Sequence, residues 1–201
     1  MNVSFDIMIV GIGGQGTILA SNVLGEACLF EGRSVRGAET HGMAQRGGSV
    51  ESQIRIGGSF GPLIMPGTAD LLIAFDLLEA LRYRHYLKED GVLVANSQLI
   101  LPTSVFSSDQ TPPSAGDIST LLGEGRGDII DATSIAAAAG SPLAANIALL
   151  GAASHTIPLS VESLLEGVRR CVPEKTITIN ERAFIDGRNA LSPKKSADNK
   201  N

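Results

Sequence analysis

The sequence predicts an α/β protein with three layers, α/β/α, built on a mixed and mostly parallel sheet. Short apolar runs typical of buried strands alternate with segments whose apolar residues recur at helical spacing, and this alternation places helices on both faces of a sheet. Two strands follow one another with no helix between them, which makes the sheet mixed. With 201 residues, 43% of them hydrophobic and 18% charged, the chain can bury one sizeable core.

The chain begins as a strand, a glycine-rich turn and a helix. The apolar run 8–10 stops at Gly11, as a buried strand does at a turn. Between residues 19 and 30 the apolar side chains recur at steps of three or four, which indicates one helical face, and Gly32 is a natural helix end. The G-x-G-x-x-G pattern of residues 11–16 makes this a Rossmann-like start.

An antiparallel insertion is predicted next. A second strand is expected at 34–36, whereas residues 37–48 are polar, rich in small side chains and without a helical or strand period. Residues 50–56 alternate between apolar and polar, which indicates a half-buried strand with one wet or interface face. Because no helix separates the two strands, we expect them to pair antiparallel.

The remainder continues the alternation of strands and helices. Further strands are expected at 71–75, 91–95 and 128–132, and further helices at about 77–87, 134–139, 144–153, 161–171 and 179–190. The proline-containing segment 98–116 is interpreted as a loop. We expect a single domain over 1–191 and a flexible tail over 192–201.

The composition argues against several classes of protein. With a net charge of −5, nothing in the sequence indicates the basic face that a nucleic-acid-binding protein usually presents. No apolar run approaches the ~20 residues that cross a bilayer, and no secretory signal is visible, so we expect a cytoplasmic protein without a membrane anchor. Two cysteines cannot supply the ligands of a [4Fe–4S] cluster, and the three histidines are far apart, so no metal site is predicted on this chain.

The glycine-rich turn has two interpretations. Its candidate cofactor-binding or interface residues are Gly11, Gly13, Gly14, Gln15 and Gly16. Such a turn, opening a helix, can bind the phosphates of a dinucleotide, and Glu39 would then contact the ribose. The alternative, which we favour, is a turn that packs against a neighbouring strand or chain.

The segment 38–49 is the second candidate site. It places an acid, an imidazole, an amide and a guanidinium among small residues, and its glycines allow the backbone to approach a partner closely. An imidazole can transfer protons near neutral pH, and a guanidinium can bind a carboxylate or phosphate. The candidate residues of this segment, for which an interface role ranks above catalysis, are Glu39, His41, Gln45, Arg46, Gly47 and Gly48.

Two acids follow a predicted strand at the edge where α/β sheets bind ligands. Asp76 and Glu79 could contact a ligand there, but we interpret them as acids favoured by the dipole of the following helix. No catalytic residue is assigned to the chain.

These motifs resemble a known family. The turn at 11–16 and the string from Glu39 to Gly48, which contains His-Gly-Met-Ala-Gln-Arg-Gly-Gly, are similar to the gamma-type module of 2-oxoacid:ferredoxin oxidoreductases. Within that family they are most similar to the small (beta) subunits of indolepyruvate ferredoxin oxidoreductases. The resemblance extends over roughly residues 5–187 and includes 78–82, 131–133 and 146–151.

The resemblance implies a role as one subunit of an enzyme, inactive alone. Such complexes decarboxylate a 2-oxoacid oxidatively, pass electrons to ferredoxin and form an acyl-coenzyme A. Thiamine diphosphate, iron–sulfur clusters and coenzyme A then belong to the complex and none of them to this chain. The implied partners are a large subunit carrying thiamine diphosphate and clusters and, through the complex, ferredoxin.

Two alternatives remain open at this point. The chain could be a stand-alone dinucleotide-binding enzyme that uses residues 11–16 and Glu39. It could also be a self-assembling module that binds a phosphate-bearing ligand such as coenzyme A. The sequence does not decide whether the isolated chain forms a homodimer, although apolar surface left without its partner would favour self-association.

Overall fold

The computed structural model describes residues 4–41, 48–58, 60–101, 112–123 and 127–191. Its strands are β1 (Phe5–Ile12), β2 (Val35–His41), β3 (Ser49–Ile56), β4 (Ala69–Ala74), β5 (Leu87–Asn96) and β6 (Gly127–Ile130). Its α-helices are α1 (Thr17–Phe30), α2 (Leu77–Tyr83), α3 (Ala115–Gly123), α4 (Ala132–Ala139), α5 (Ala145–Ala153), α6 (Val161–Cys171) and α7 (Ile177–Ala190). Short 3₁₀ turns span Arg84–Tyr86, Pro142–Ala144 and Glu174–Thr176.

All the described strands belong to one six-stranded sheet with the order β2-β3-β1-β4-β5-β6. Strands β1, β4, β5 and β6 pair in parallel. Strand β3 pairs antiparallel with both β1 and β2, so it enters the sheet between them. The predictions of a mixed, mostly parallel sheet and of an antiparallel insertion are confirmed.

The sheet separates two apolar cores, as strand alternation requires. Ile7 and Ile9 of β1 face a core that also contains side chains of α1, α4, α5, α6 and α7. Met8 and Val10 face the opposite core, which contains side chains of α2 and α3. The predicted three-layer α/β/α arrangement is therefore confirmed.

The interpretation of 37–48 as a stretch without strand structure is wrong for its first part. Strand β2 continues to His41, and Gly37 lies opposite Ile54 of β3. As an edge strand, β2 is partly exposed along its length, so it does not carry the apolar alternation by which a strand is recognised. The strand forms instead because its backbone pairs with that of β3.

The prediction of a loop over 98–116 missed the start of a helix. Helix α3 begins at Ala115 and buries Ile118 and Leu122. Ser114 Oγ accepts a hydrogen bond from the Asp117 N–H at 3.1 Å, while Asp117 Oδ2 accepts one from the Ser114 N–H at 2.9 Å. This reciprocal pair resembles a capping box, and the Ser-x-x-Asp spacing was the sequence signal that could have revealed it.

The predicted ends of one helix and one strand also differ from those in the structure. Helix α2 ends at Tyr83 rather than near 87, because Arg84–Tyr86 tighten into a 3₁₀ turn and Leu87 already begins β5. Strand β6 ends at Ile130 rather than 132, because the Asp131 carboxylate caps α4 by accepting from the Ser134 N–H. No helix in the described part of the chain is long and apolar enough to cross a membrane.

Candidate functional site

The first candidate site lies where β1 and β4 end side by side. The turn between β1 and α1 is closed by Gln15, whose Oε1 accepts from the Ile12 N–H at 2.7 Å. Gln15 Nε2 donates to the Phe75 carbonyl at 3.2 Å, just after β4, and Asn96 Nδ2 at the end of β5 approaches the same oxygen at 3.4 Å. Side-chain amides therefore fasten the carboxyl ends of three parallel strands together.

Two glycines of the G-x-G-x-x-G turn, Gly11 and Gly16, lie against side chains from elsewhere in this chain, so that a Cβ at either position would clash. A Cβ on Gly11 would lie 2.8 Å from Gln15 Oε1 and 3.1 Å from the Phe75 ring. Gly16 has a φ of +85°, and a Cβ there would lie 2.3 Å from Nδ2 of Asn146, an α5 residue whose amide donates to the Gly16 carbonyl at 3.3 Å. These contacts agree with the interpretation of the turn as a packing element.

The dinucleotide interpretation is not favoured by the sheet order. Strand β3 separates β2 from β1, so Glu39 on β2 is two interstrand spacings, about 9.5 Å, from the strand that carries the turn. Glu39 Oε1 instead accepts a hydrogen bond from Ser21 Oγ of α1 at 3.1 Å. A ribose contact of the Rossmann type needs the acid on the strand adjacent to the turn.

The two candidate sites meet in the structure. The Gly13 N–H donates to the Gly48 carbonyl at 2.9 Å, so the turn touches the end of the segment 38–49. Glu39 and the backbone of His41 lie on β2, and Gly48 precedes β3. Gln45, Arg46 and Gly47 lie outside the described residues, as does the His41 side chain.

A polar cluster beside Gly48 was missed by sequence reasoning. Ser49 Oγ donates to Glu79 Oε2 at 2.5 Å and lies 3.2 Å from the Tyr83 hydroxyl, while Arg82 Nη1 donates to Glu79 Oε1 at 2.8 Å. Glu79 is 3% exposed, and burial raises the pKa of the Tyr83 hydroxyl. The cluster anchors the start of β3 to α2.

Asp76 lies at the N-terminus of α2, where the sequence predicted an acid favoured by the helix dipole, and its side chain also caps the helix. Its Oδ1 accepts from the N–H groups of Leu78 and Glu79, and its Oδ2 accepts from the Ile100 N–H at 2.6 Å. Burial nevertheless raises the pKa of the Asp76 carboxyl above its ordinary value. Within the described residues, no group of three or more His, Cys, Asp or Glu side chains is placed to hold a metal ion.

Replacing Gln15 tests whether the turn is a packing element. We expect Gln15→Ala to lower the free energy of unfolding by ~1–3 kcal/mol, because the part-buried Ile12 N–H and Phe75 carbonyl lose their partner. Urea denaturation measures the change, and Asn22→Ala, at an exposed position of α1, is the matched control. If both variants were as stable as the unsubstituted chain, the Gln15 side chain would not stabilise the turn.

Known proteins resemble this chain over most of its length. The sequence profile of the family "Pyruvate ferredoxin/flavodoxin oxidoreductase" matches residues 6–190. The chain is 40% identical over 186 residues to the indolepyruvate oxidoreductase subunit IorB of Thermococcus kodakarensis, covering 90% of this chain and 92% of the relative. It is 27% identical over 190 residues to the 2-oxoglutarate synthase subunit KorC of Methanothermobacter marburgensis, covering 92% and 96%.

A solved structure has the same fold. The keto/oxoacid ferredoxin oxidoreductase gamma subunit from Geobacter sulfurreducens superposes with a TM-score of 0.70 at 27% sequence identity. The match covers 93% of this chain and 98% of that subunit. The comparison therefore spans nearly the full length of both chains.

Proposed function

The chain belongs to the pyruvate ferredoxin/flavodoxin oxidoreductase family, and from this premise we propose that it is the small, cluster-free subunit of an indolepyruvate-type 2-oxoacid:ferredoxin oxidoreductase. The observation that carries the proposal is the 40% identity to an indolepyruvate oxidoreductase subunit over nearly the full length of both chains. The 2-oxoglutarate relative, at 27% identity, is more distant. An aryl 2-oxoacid is therefore the preferred substrate class.

The cysteines of this chain do not fit an iron–sulfur cluster. Cluster ligands are thiolates, and the chain has only Cys28 and Cys171. Cys28 is fully buried, and desolvation raises its pKa to about 11, which disfavours the thiolate. Burial also raises the pKa of Cys171. We therefore assign the clusters to a larger partner subunit, which by the family resemblance also carries thiamine diphosphate.

The complex would convert a 2-oxoacid and coenzyme A into an acyl-coenzyme A and carbon dioxide, with two electrons passing to ferredoxin. This chain contributes binding surface to that reaction and is inactive alone. We propose that residues 1–191 form one gamma-type domain and that the complex is cytoplasmic. The tail expected over 192–201 lies outside the described residues. The family match over 6–190 supports the single domain.

Exposed apolar side chains support a partner. Phe60, Leu63 and Met65 are 75%, 66% and 67% exposed, and the segment 57–68 that carries them contains no charged residue. Arg55 holds this segment through the Gly61 carbonyl, and the Gln53 side chain accepts from the Ile64 N–H. Several exposed apolar side chains near one another in the sequence are typical of a protein interface, and they favour a homodimer when the chain is isolated.

Reconstitution tests the substrate assignment. The chain is coexpressed with its large subunit, and dye reduction that depends on both 2-oxoacid and coenzyme A is measured with indolepyruvate, pyruvate and 2-oxoglutarate. We expect the highest kcat/KM with indolepyruvate and no activity when either subunit is omitted. A preference for pyruvate or 2-oxoglutarate would contradict the indolepyruvate assignment while leaving the subunit assignment in place.

Replacing Arg46 tests whether the segment 38–49 contacts a partner subunit. We expect Arg46→Ala to lower the activity of the complex about 10- to 100-fold, the loss that follows from removing one charge-assisted contact. The melting temperature of the isolated chain should not change, because the expected contact is with a partner. Arg182→Ala, in an exposed ion pair of α7, is the control. Full activity of the Arg46 variant would make Arg46 an ordinary surface residue.

A further inference from the structure

A buried carboxylate on α2 holds the first residue of β3. The Glu79 side chain is 3% exposed, and its Oε2 accepts a hydrogen bond from Ser49 Oγ at 2.5 Å. Its other oxygen, Oε1, accepts from Arg82 Nη1 at 2.8 Å. Both carboxylate oxygens therefore have a partner, and one of these partners is 30 positions away in the sequence.

The residue before Ser49 is fixed at the same place. The Gly48 carbonyl accepts from the Gly13 N–H at 2.9 Å, so the end of the segment 38–49 is joined both to the glycine-rich turn and to α2. Ser49 itself pairs with Ile12, the last residue of β1. These contacts lie at the carboxyl end of β1, and α/β sheets bind their ligands at the carboxyl ends of their parallel strands.

An apolar side chain would serve the fold as well as Glu79 does. Its neighbours on α2, Leu77 and Ala80, are fully buried in an apolar core. Burying a carboxylate costs free energy that its partners only offset, and replacing buried charged groups by apolar residues of similar volume is often neutral or stabilising. The acid is therefore better explained by what it holds in place than by the stability of the domain.

We propose that Glu79 is a positioning residue: through Ser49 it fixes the start of β3, with the Gly48–Gly13 contact, in the conformation to which the large subunit binds. Without the Ser49–Glu79 contact, this end of the segment 38–49 would have to be ordered when the complex forms, and such ordering lowers affinity. The inference rests on the proposed function, which supplies the partner and the reaction.

The Ser49–Glu79 contact can be removed without leaving a buried charge unpaired. In the double variant Ser49→Ala/Glu79→Leu, the hydroxyl and the carboxylate are both lost. The Arg82 side chain, which is 49% exposed, is then solvated by water, and the Tyr83 hydroxyl keeps Glu51 as a neighbour. We therefore expect the melting temperature of the isolated chain to stay the same or to rise.

Conservative variants and a control separate this contact from the fold. Ser49→Thr keeps the hydroxyl and suits a strand, and Glu79→Gln keeps an oxygen that can accept from Ser49. Ser134→Ala is the matched control, because it also removes a serine hydroxyl that donates to a carboxylate, Asp131 Oδ2, at 2.6 Å. Each variant is first compared with the unsubstituted chain by thermal melting.

The experiment measures the Kd of each chain for the large subunit, purified from a host strain that lacks the small one. It also measures kcat of the complex at a saturating concentration of the small subunit. We expect the double variant to raise Kd about 10-fold or more with kcat unchanged, because binding restores the lost order. The two conservative variants and the control should bind within about threefold of the unsubstituted chain.

The outcomes separate this inference from the proposed function. If the double variant folds and binds as tightly as the unsubstituted chain, Glu79 has no positioning role, and the subunit assignment stands. A fall in kcat without a change in Kd also overturns the inference, since the effect would then lie in the reaction.

A double variant that does not fold is replaced by Ser49→Ala alone. Binding by Ser49→Ala as tight as that by Ser49→Thr then overturns the inference, and binding at least about 10-fold weaker supports it. If the unsubstituted chain does not bind the large subunit at all, the proposed function fails, and the positioning role of Glu79 fails with it.

Discussion

Gly187→Ala is expected to lower the free energy of unfolding by about 3 kcal/mol or more. Helices α5 and α7 cross in backbone contact, and a Cβ at Gly187 would lie 1.9 Å from the Ala148 carbonyl oxygen. Gly151 makes the reciprocal contact, where a Cβ would lie 2.0 Å from the Phe184 carbonyl. A methyl group cannot be accommodated by a rotamer change when its neighbour is backbone, so the helices must separate and strain the core around Phe184.

Urea denaturation of Gly187→Ala and Gly25→Ala, read together, tests this account. Both replace a glycine inside a helix, which by itself favours alanine by up to ~1 kcal/mol. Gly25 faces open space, so Gly25→Ala should be neutral or slightly stabilising. Equal effects of the two substitutions would contradict the close approach of α5 and α7.

The second large effect is expected at the ion pair beneath the segment 57–68. Arg55 of β3 and Asp6 of β1 lie opposite one another, and two guanidinium nitrogens each donate to a carboxylate oxygen at 2.7 Å. Both residues are buried, at 8% and 5% exposure. Removing one partner leaves the other charge buried without compensation, so we expect Arg55→Ala to cost about 3–5 kcal/mol.

The control for this prediction is an exposed pair. Arg182 and Asp186 are 3.6 Å apart on α7 with side chains 64% and 40% exposed, and Arg182→Ala should cost less than about 1 kcal/mol. Chemical denaturation of both variants gives the comparison. A loss at Arg55 as small as that at Arg182 would show that water reaches Asp6 and that the pair does not hold the segment 57–68.

Much of the fold could be predicted because its signals are local. The apolar run of β1 and the helical spacing of α1 identified the first unit, and the absence of a helix between β2 and β3 indicated the antiparallel insertion. The full length of β2 could not be predicted, because an edge strand exposed along its length has no apolar period. Its order comes from pairing with β3, which the local sequence does not encode.

The site was less accessible to sequence reasoning, since its contacts join distant residues. The glycines of the turn were visible, but the partner of Gly16 is Asn146, 130 residues away. Ser49 and Glu79 are 30 residues apart, and neither residue alone indicates that the two side chains are in contact.

The most direct measurement is a mild affinity purification of this chain from its host, with identification of the copurifying chains. The account predicts one large partner that carries thiamine diphosphate and iron–sulfur clusters, together with dye reduction that requires coenzyme A and is fastest with indolepyruvate. Recovery of the chain alone, without a partner and without that activity, would contradict its assignment as an oxidoreductase subunit.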